Sequence, residues 1–289
     1  LKEMGVENPP VEWRDLTDLR YFGQLGLTDP TKSGSVAKTF EMIIHSECRR
    51  VIYEAGWTDE QIDEFERKIA AAKLPAGEMP EGVPIQYQQD VERGWRSGLD
   101  LIRRMGMNVR YFTDGAGKVP VDVASGDAAI GISIDFYSRV QAEVTRDILT
   151  GADRLCFVNP KGGSSISGDP ISLLRGAENK ELALRFMEFV LSEDGQKLWN
   201  YKPGTPGGPV SSALRRLPVR RDFYPSSDNA VIDAKAREHA KYTSDNLLDP
   251  TVDAYSLAND FMYRYRWTGQ HFSFFRQFIR AMCMDSGVE

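Results

Sequence analysis

With 289 residues, 41% of them hydrophobic and 27% charged, the chain has the composition of a folded, water-soluble protein long enough for two lobes. A formal net charge of -6 and a pI near 5.3 argue against a nucleic-acid-binding body, and flanking acids make Arg215-Arg216 and Arg220-Arg221 solvated surface. The three cysteines, Cys48, Cys156 and Cys283, have neither metal-ligand nor disulfide-framework spacing and read as buried thiols, and no apolar run approaches the length of a membrane span.

The opening Leu1-Lys2-Glu3-Met4 has no initiator methionine and does not begin a signal peptide, so a processed or truncated product is expected. Trp13 to Tyr21 reads as a short helical turn, followed by a strand-like run from Gln24 to Leu27. The segment Thr28-Asp29-Pro30-Thr31-Lys32-Ser33-Gly34-Ser35 then leads into a long helix whose apolar face is Val36, Phe40, Ile43, Ile44, Val51 and Ile52. Ser33-Gly34-Ser35 therefore falls at a helix N-terminus, where free N–H groups, the dipole and two hydroxyls could cradle a phosphate or carboxylate. A plain serine cap explains the same residues.

Thr58 and Gln61 have capping-box spacing ahead of a helix carrying Ile62, Phe65 and Ile69. Leu74 to Pro84, with three prolines and two glycines, is a loop, and the next amphipathic helix carries Val91, Trp95, Leu99, Ile102 and Met105. From Asn108 short strands alternate with helices. Val109 to Phe112, Ala128 to Ile134 and Arg154 to Val158 read as strands, Pro120 to Ser125 and Phe136 to Leu149 as helices, with Pro120 at a first helical position and Gly126 past a helix end. The alternation predicts an α/β class with a parallel or mixed sheet.

Asn159 to Gly168, rich in Gly and Ser, is the candidate crossover between lobes. Beyond it the chain reads as almost all helix. Asp169, Pro170 and Gly176 suit a short helix, Asn179 caps one with the face Leu182, Ala183, Phe186, Phe189 and Val190, and Ser192 starts a third ending at Leu198 and Trp199. A Pro203 to Pro209 loop precedes two helices carrying Val252, Tyr255, Met262 and Tyr265, then Phe272, Phe275, Phe278 and Met282, stripes that read as core.

The three histidines, His45, His239 and His271, lie in helical segments away from any nucleophile, and no hydrolase elbow, Walker loop, dinucleotide fingerprint or zinc-protease helix is present. Binding is favoured over catalysis. No cofactor and no metal ligands are assigned.

Three ordered blocks carry a resemblance. The first is Trp13-Arg14-Asp15-Leu16 through Gly23-Gln24-Leu25-Gly26 to Asp29-Pro30-Thr31-Lys32-Ser33-Gly34-Ser35. The second is Val123 to Ile132 followed by Asp135-Phe136-Tyr137, and the third runs from Asp169-Pro170-Ile171 through Gly176-Ala177-Glu178-Asn179 to Phe189–Gln196. Together, over about residues 11 to 200, the chain resembles the extracellular solute-binding proteins of ABC importers, in the branch of ferric-ion and organophosphate binders.

The resemblance implies a two-lobed α/β fold of the type 2 periplasmic-binding class, with ligand trapped as the lobes close on a hinge. It divides the chain into an α/β second lobe over 11–158, a hinge over 159–168 and a helix-rich C-terminal part of the first lobe over 169–289. That first lobe is then incomplete, because family chains begin with a further stretch of strands. Ferric-ion binders carry adjacent tyrosines where this chain has Phe136-Tyr137, which disfavours iron and favours an anionic organic solute.

The ligand-binding candidates are Ser33, Gly34 and Ser35 as the anion cradle, Asp135 as an acceptor or a helix N-cap, and Tyr137 as a stacking group or a core side chain. Asp29 is a turn former or a ligand contact, and Ser164 and Ser165 are contacts or linker. The expected partners are a small-molecule solute and a membrane ABC permease, with no nucleic acid, the chain being a periplasmic or extracellular monomer that is lipid-anchored or free. The rival readings are a hydrolase or transferase on the same scaffold, and a sensory or scaffold protein reusing the binding fold.

Overall fold

The run Leu25–Thr28, buried at every position, is the central strand β1 in a computed structural model that describes residues 1, 4–75 and 78–285. Lys2 and Glu3 of the opening tetrapeptide, and Ala76 and Gly77 of the predicted Leu74 to Pro84 loop, lie outside the described residues. β1 pairs in parallel with β2 (Val109–Thr113) on one side and β3 (Ile130–Gly131) on the other. Parallel neighbours need crossovers, and helices supply them. Between β1 and β2 run α1 (Gly34–Glu54), α2 (Asp59–Ala72) and α3 (Ile85–Met107), and between β2 and β3 runs α4 (Lys118–Ser125). This is the α/β class that the alternation predicts.

Local chemistry sets the helix ends. Ser33 caps α1, Thr58 and Gln61 form a reciprocal capping box on α2, and Gly126 closes α4 with φ +88°. Pro120 is the third residue of α4 and not the first, because the helix already begins at Lys118, whose ammonium lies 2.7 Å from the Asp122 carboxylate. Asn108, just after α3, donates its amide to Leu16 O and Asp18 O at 2.8 Å, tying down the 3-10 turns Trp13–Thr17 and Leu19–Tyr21.

α1 and α3 pack closely because α3 presents glycine at two positions of its contact face. A Cβ on Gly94 would stand 2.3 Å from Cys48 Cα, and one on Gly98 would stand 2.7 Å from Ile44 Cα. The two backbones meet where any side chain would part them. Ile43, Ile44, Ile52, Ile62, Ile102 and Met105 fill the surrounding core at 0% exposure, each aliphatic burial being worth about 1.5–3 kcal/mol.

The chain divides into two compact units, and the division differs from the single crossover at 159–168 read from the sequence. Unit 1 is Leu1–Ile134, Val158–Ser164 and Tyr263–Glu289, and unit 2 is Asp135–Phe157 and Ser165–Met262. Asn159 to Ser164 belongs to unit 1 because Trp13 Nε1 donates to Gly163 O at 2.7 Å, so a stretch read as flexible is pinned by an indole.

Unit 2 contains α5 (Asp135–Val144), α6 (Lys180–Leu191), α7 (Glu193–Asn200), α8 (Ala230–Ala240) and α9 (Ala254–Asp260). Its core is Tyr201, Phe223, Tyr224 and Leu247, and beside it Asp245 binds Arg139 at 2.9 Å and Arg215 at 2.6 Å. Ser192 caps α7 as expected, by accepting from Gly195 N.

Four expectations fail here. Arg154 to Val158 forms no strand; Arg154–Phe157 belongs to unit 2, which has no named strand among the described residues, and Phe157 lies under the Arg139 guanidinium, 4.9 Å from ring centroid to Cζ. Cys156 in that stretch is consequently exposed, whereas Cys48 is buried as read and Cys283 is half-buried. No helix follows Asp169, which adopts φ +46° instead of the extended backbone of an N-cap and spends its carboxylate on Arg216. The first late stripe is not all core, for Met262 and Tyr265 are 56% and 65% exposed.

The last stretch of chain returns to unit 1 as α10 (Tyr265–Thr268) and α11 (Phe272–Cys283). Trp267, Phe275 and Ile279 are buried there, so the second aromatic stripe is core at Phe275 while Phe278 stays exposed. Polar bonds fix the return: Trp95 Nε1 donates to Trp267 O at 2.7 Å, Tyr263 Oη to Glu41 at 2.7 Å, and the Arg266 guanidinium clasps Glu66 at 2.7–3.0 Å.

Candidate functional site

The carboxyl end of the central strand leads directly into the start of α1, the place where open α/β sheets bind ligands. Asp29 N donates to Thr113 O at 2.9 Å, prolonging the β1–β2 pairing by one residue, and the Thr28 and Thr113 hydroxyls meet at 3.1 Å beneath it. The chain then turns. Asp29 Oδ1 accepts from Thr31 N at 2.8 Å and from Thr31 Oγ1 at 2.7 Å, while its carbonyl accepts from the N–H groups of Lys32 and Ser33.

α11 holds this turn from outside. The Arg276 guanidinium donates to Pro30 O at 2.8 Å and Thr31 O at 2.7 Å, and Arg280 pairs with Asp29 Oδ2. Both oxygens of Asp29 are thus engaged and the residue is 2% exposed, which makes it the organiser of the turn. Arg276 and Arg280 were missed in the sequence; their one signal is i,i+4 spacing on a helix otherwise read only as an aromatic stripe.

At the helix start Ser33 Oγ accepts from Val36 N at 3.4 Å and lies 3.2 Å from Ser35 Oγ. Gly34 is exposed, and its N–H and that of Ser35 have no acceptor among the described residues. The Ser33 cap thus leaves room at the helix start: one serine hydroxyl serves the third amide while two amides remain open. Ser164, also in unit 1, is half-buried next to the pinned Gly163.

The other candidates lie in unit 2. Asp135 is the first residue inside α5 and not its cap, so its carboxylate sits in the first turn, where the helix dipole favours it. Tyr137 is 42% exposed with its ring 4.3 Å from that of Phe136, and Ser165 is half-buried in an irregular stretch. The Arg216 guanidinium, paired with the Asp169 carboxylate, stands over the Phe136 ring, 4.3 Å from its centroid.

Among the described residues, one group of three side chains could hold a metal ion, Glu193, Asp222 and His239, and none of them is among the candidates above. No helix of the described residues is long and apolar enough to cross a membrane.

Comparison with known proteins adds three findings. An uncharacterized protein of Haemophilus influenzae is 21% identical over 198 residues, covering 68% of this chain and 42% of that protein. A structure of the periplasmic binding protein AfuA from Actinobacillus pleuropneumoniae, with exogenous fructose-6-phosphate bound, is 21% identical with a TM-score of 0.40, over 68% of this chain and 45% of that one. The matched region thus spans less than half the length of either relative. Residues 1–225 match the family described as bacterial extracellular solute-binding protein, a family of binding proteins and not of hydrolases or transferases, and the chain belongs to it.

Proposed function

We propose that this chain captures a small, polar, anionic solute, phosphate- or carboxylate-bearing, outside the cytoplasm and delivers it to an ABC permease. The observation that carries the reading is the α1 start at the carboxyl end of β1, where the Gly34 and Ser35 N–H groups stay open beside two serine hydroxyls. Ser33, Gly34 and Ser35 bind the anionic group, and Asp29, locked by Arg280 and Thr31, shapes the loop that presents them. Asp135, Tyr137, Ser164 and Ser165 are the further contacts to be tested.

Isothermal titration of the protein with phosphorylated sugars, phosphonates, carboxylates and ferric ion tests the reading. Binding by a phosphorylated or carboxylated compound is expected, and Ser33→Asp should abolish it while leaving the melting temperature unchanged, since aspartate caps as well as serine but places a charge against the anion. Binding only of a neutral or cationic compound, or full affinity in Ser33→Asp, refutes the anion assignment.

A further inference from the structure

Unit 2 holds a second constellation that solute capture does not use. Glu193 is the first residue of α7, Asp222 lies in the 3-10 turn Arg221–Phe223, and His239 is in the last turn of α8. One ligand atom from each lies within 4.8 Å of the others. His239 is 4% exposed and its orientation is fixed twice. Its ring stacks on Phe223 with centroids 3.9 Å apart and planes 3° from parallel, and its Nδ1 is hydrogen-bonded to Tyr201 Oη at 2.6 Å.

That leaves Nε2, which has no hydrogen-bond partner among the described residues. One nitrogen anchored by a neighbouring polar group and the other free is how metal-binding histidines are held.

A cation already stands by the two carboxylates. The Lys235 ammonium is 3.5 Å from Asp222 and 3.9 Å from Glu193, longer than the 2.8 Å of Lys197 to Glu193 and the 2.7 Å of Arg220 to Asp222. With half of its side chain exposed, Lys235 can swing into water without losing a close bond. Arg220, which donates to both Asp222 oxygens at 3.0 and 2.7 Å, and Lys197 stay and reduce the attraction for a second cation, so the ion must gain from direct coordination through the remaining carboxylate lone pairs.

We propose that Glu193, Asp222 and His239 form a binding site for a divalent ion of the zinc class, with Lys235 as the cation it displaces. One imidazole and two carboxylates are a borderline donor set that suits Zn²⁺ and Co²⁺ better than Ca²⁺ or Mg²⁺, and water completes the coordination. Binding ties α7, the 221–223 turn and α8 together and stabilises unit 2.

The test is titration of the chelator-treated protein with ZnCl₂ at pH 7.5, together with the visible spectrum of the Co²⁺ form. One Zn²⁺ per chain is expected, with affinity falling at least tenfold in Glu193→Gln and in Asp222→Asn and rising severalfold in Lys235→Ala. Glu193 is partly exposed and unconnected to the core cluster, so E193Q keeps the test sound if D222N fails to fold. Absence of Zn²⁺ binding, equal affinity in E193Q, or weaker binding in Lys235→Ala overturns the site.

Discussion

Acid should destabilise unit 1 through a single imidazole. His45 is 0% exposed, its Nε2 accepts from Arg264 N at 2.9 Å, and its ring lies 5.4 Å from Tyr263 and 5.0 Å from Trp267. Burial, with the nearby charges of Lys38, Arg264 and Arg49, pulls its pKa down to about 3. The unfolded chain takes up this proton near pH 6.5 and the folded one refuses it until about pH 3, so stability is full above pH 6.5 and declines as pH falls through that window. Between pH 7.5 and 5.0 the single group accounts for about 2 kcal/mol.

Urea unfolding followed by tryptophan fluorescence reads mainly unit 1, since Trp13, Trp57, Trp95 and Trp267 lie in it and Trp199 alone lies in unit 2. His45→Gln keeps an acceptor and removes the titration. The variant is less stable at pH 7.5, but its loss on going to pH 5.0 should be smaller than the wild-type loss by about 2 kcal/mol. His239 is present in both proteins and cancels. An equal loss in both would refute the account.

Three further outcomes are expected. Gly94→Ala drives a methyl into Cys48 and should cost about 3 kcal/mol by chemical denaturation, with wild-type stability showing that α1 and α3 are not in close backbone contact. Asp245→Asn leaves the buried Arg139 guanidinium without its counter-ion and Arg215 with Glu143 alone, and thermal unfolding should register about 3 kcal/mol of loss in unit 2; an unchanged melting temperature would contradict the network. Ser33→Ala removes the α1 cap and should cost about 1 kcal/mol, an effect that Ser33→Asp should not share.

What could be read in the sequence was set by contacts close along the chain. Ser33, Thr58 with Gln61, Ser192 and Gly126 end helices through bonds spanning three or four residues, and each stands where its spacing placed it. The strand expected at Arg154 to Val158 depended on a neighbour that local pattern cannot reveal. Asp169 had the chemistry of a cap but its backbone went left-handed toward Arg216. The candidate site was half legible: Ser33-Gly34-Ser35 follows from strand, turn and helix in order, whereas Arg280 reaches Asp29 across 251 positions. Glu193, Asp222 and His239 come from three elements, and no spacing announces them.

The interrupted path of unit 1 has a consequence for how the protein is made. α10 and α11 complete a core that α1 and α3 began, but everything from Asp135 to Met262 except Val158–Ser164 belongs elsewhere and is synthesised in between. At about 5–20 residues per second, the nascent surface around Glu41, His45 and Trp95 waits roughly 6 to 26 s for its closing helices. Until then it offers apolar surface, and a Glu66 carboxylate still without Arg266, to the cytosol or to a chaperone. Unit 2 can fold first, and completion of unit 1 must await the final helix leaving the ribosome.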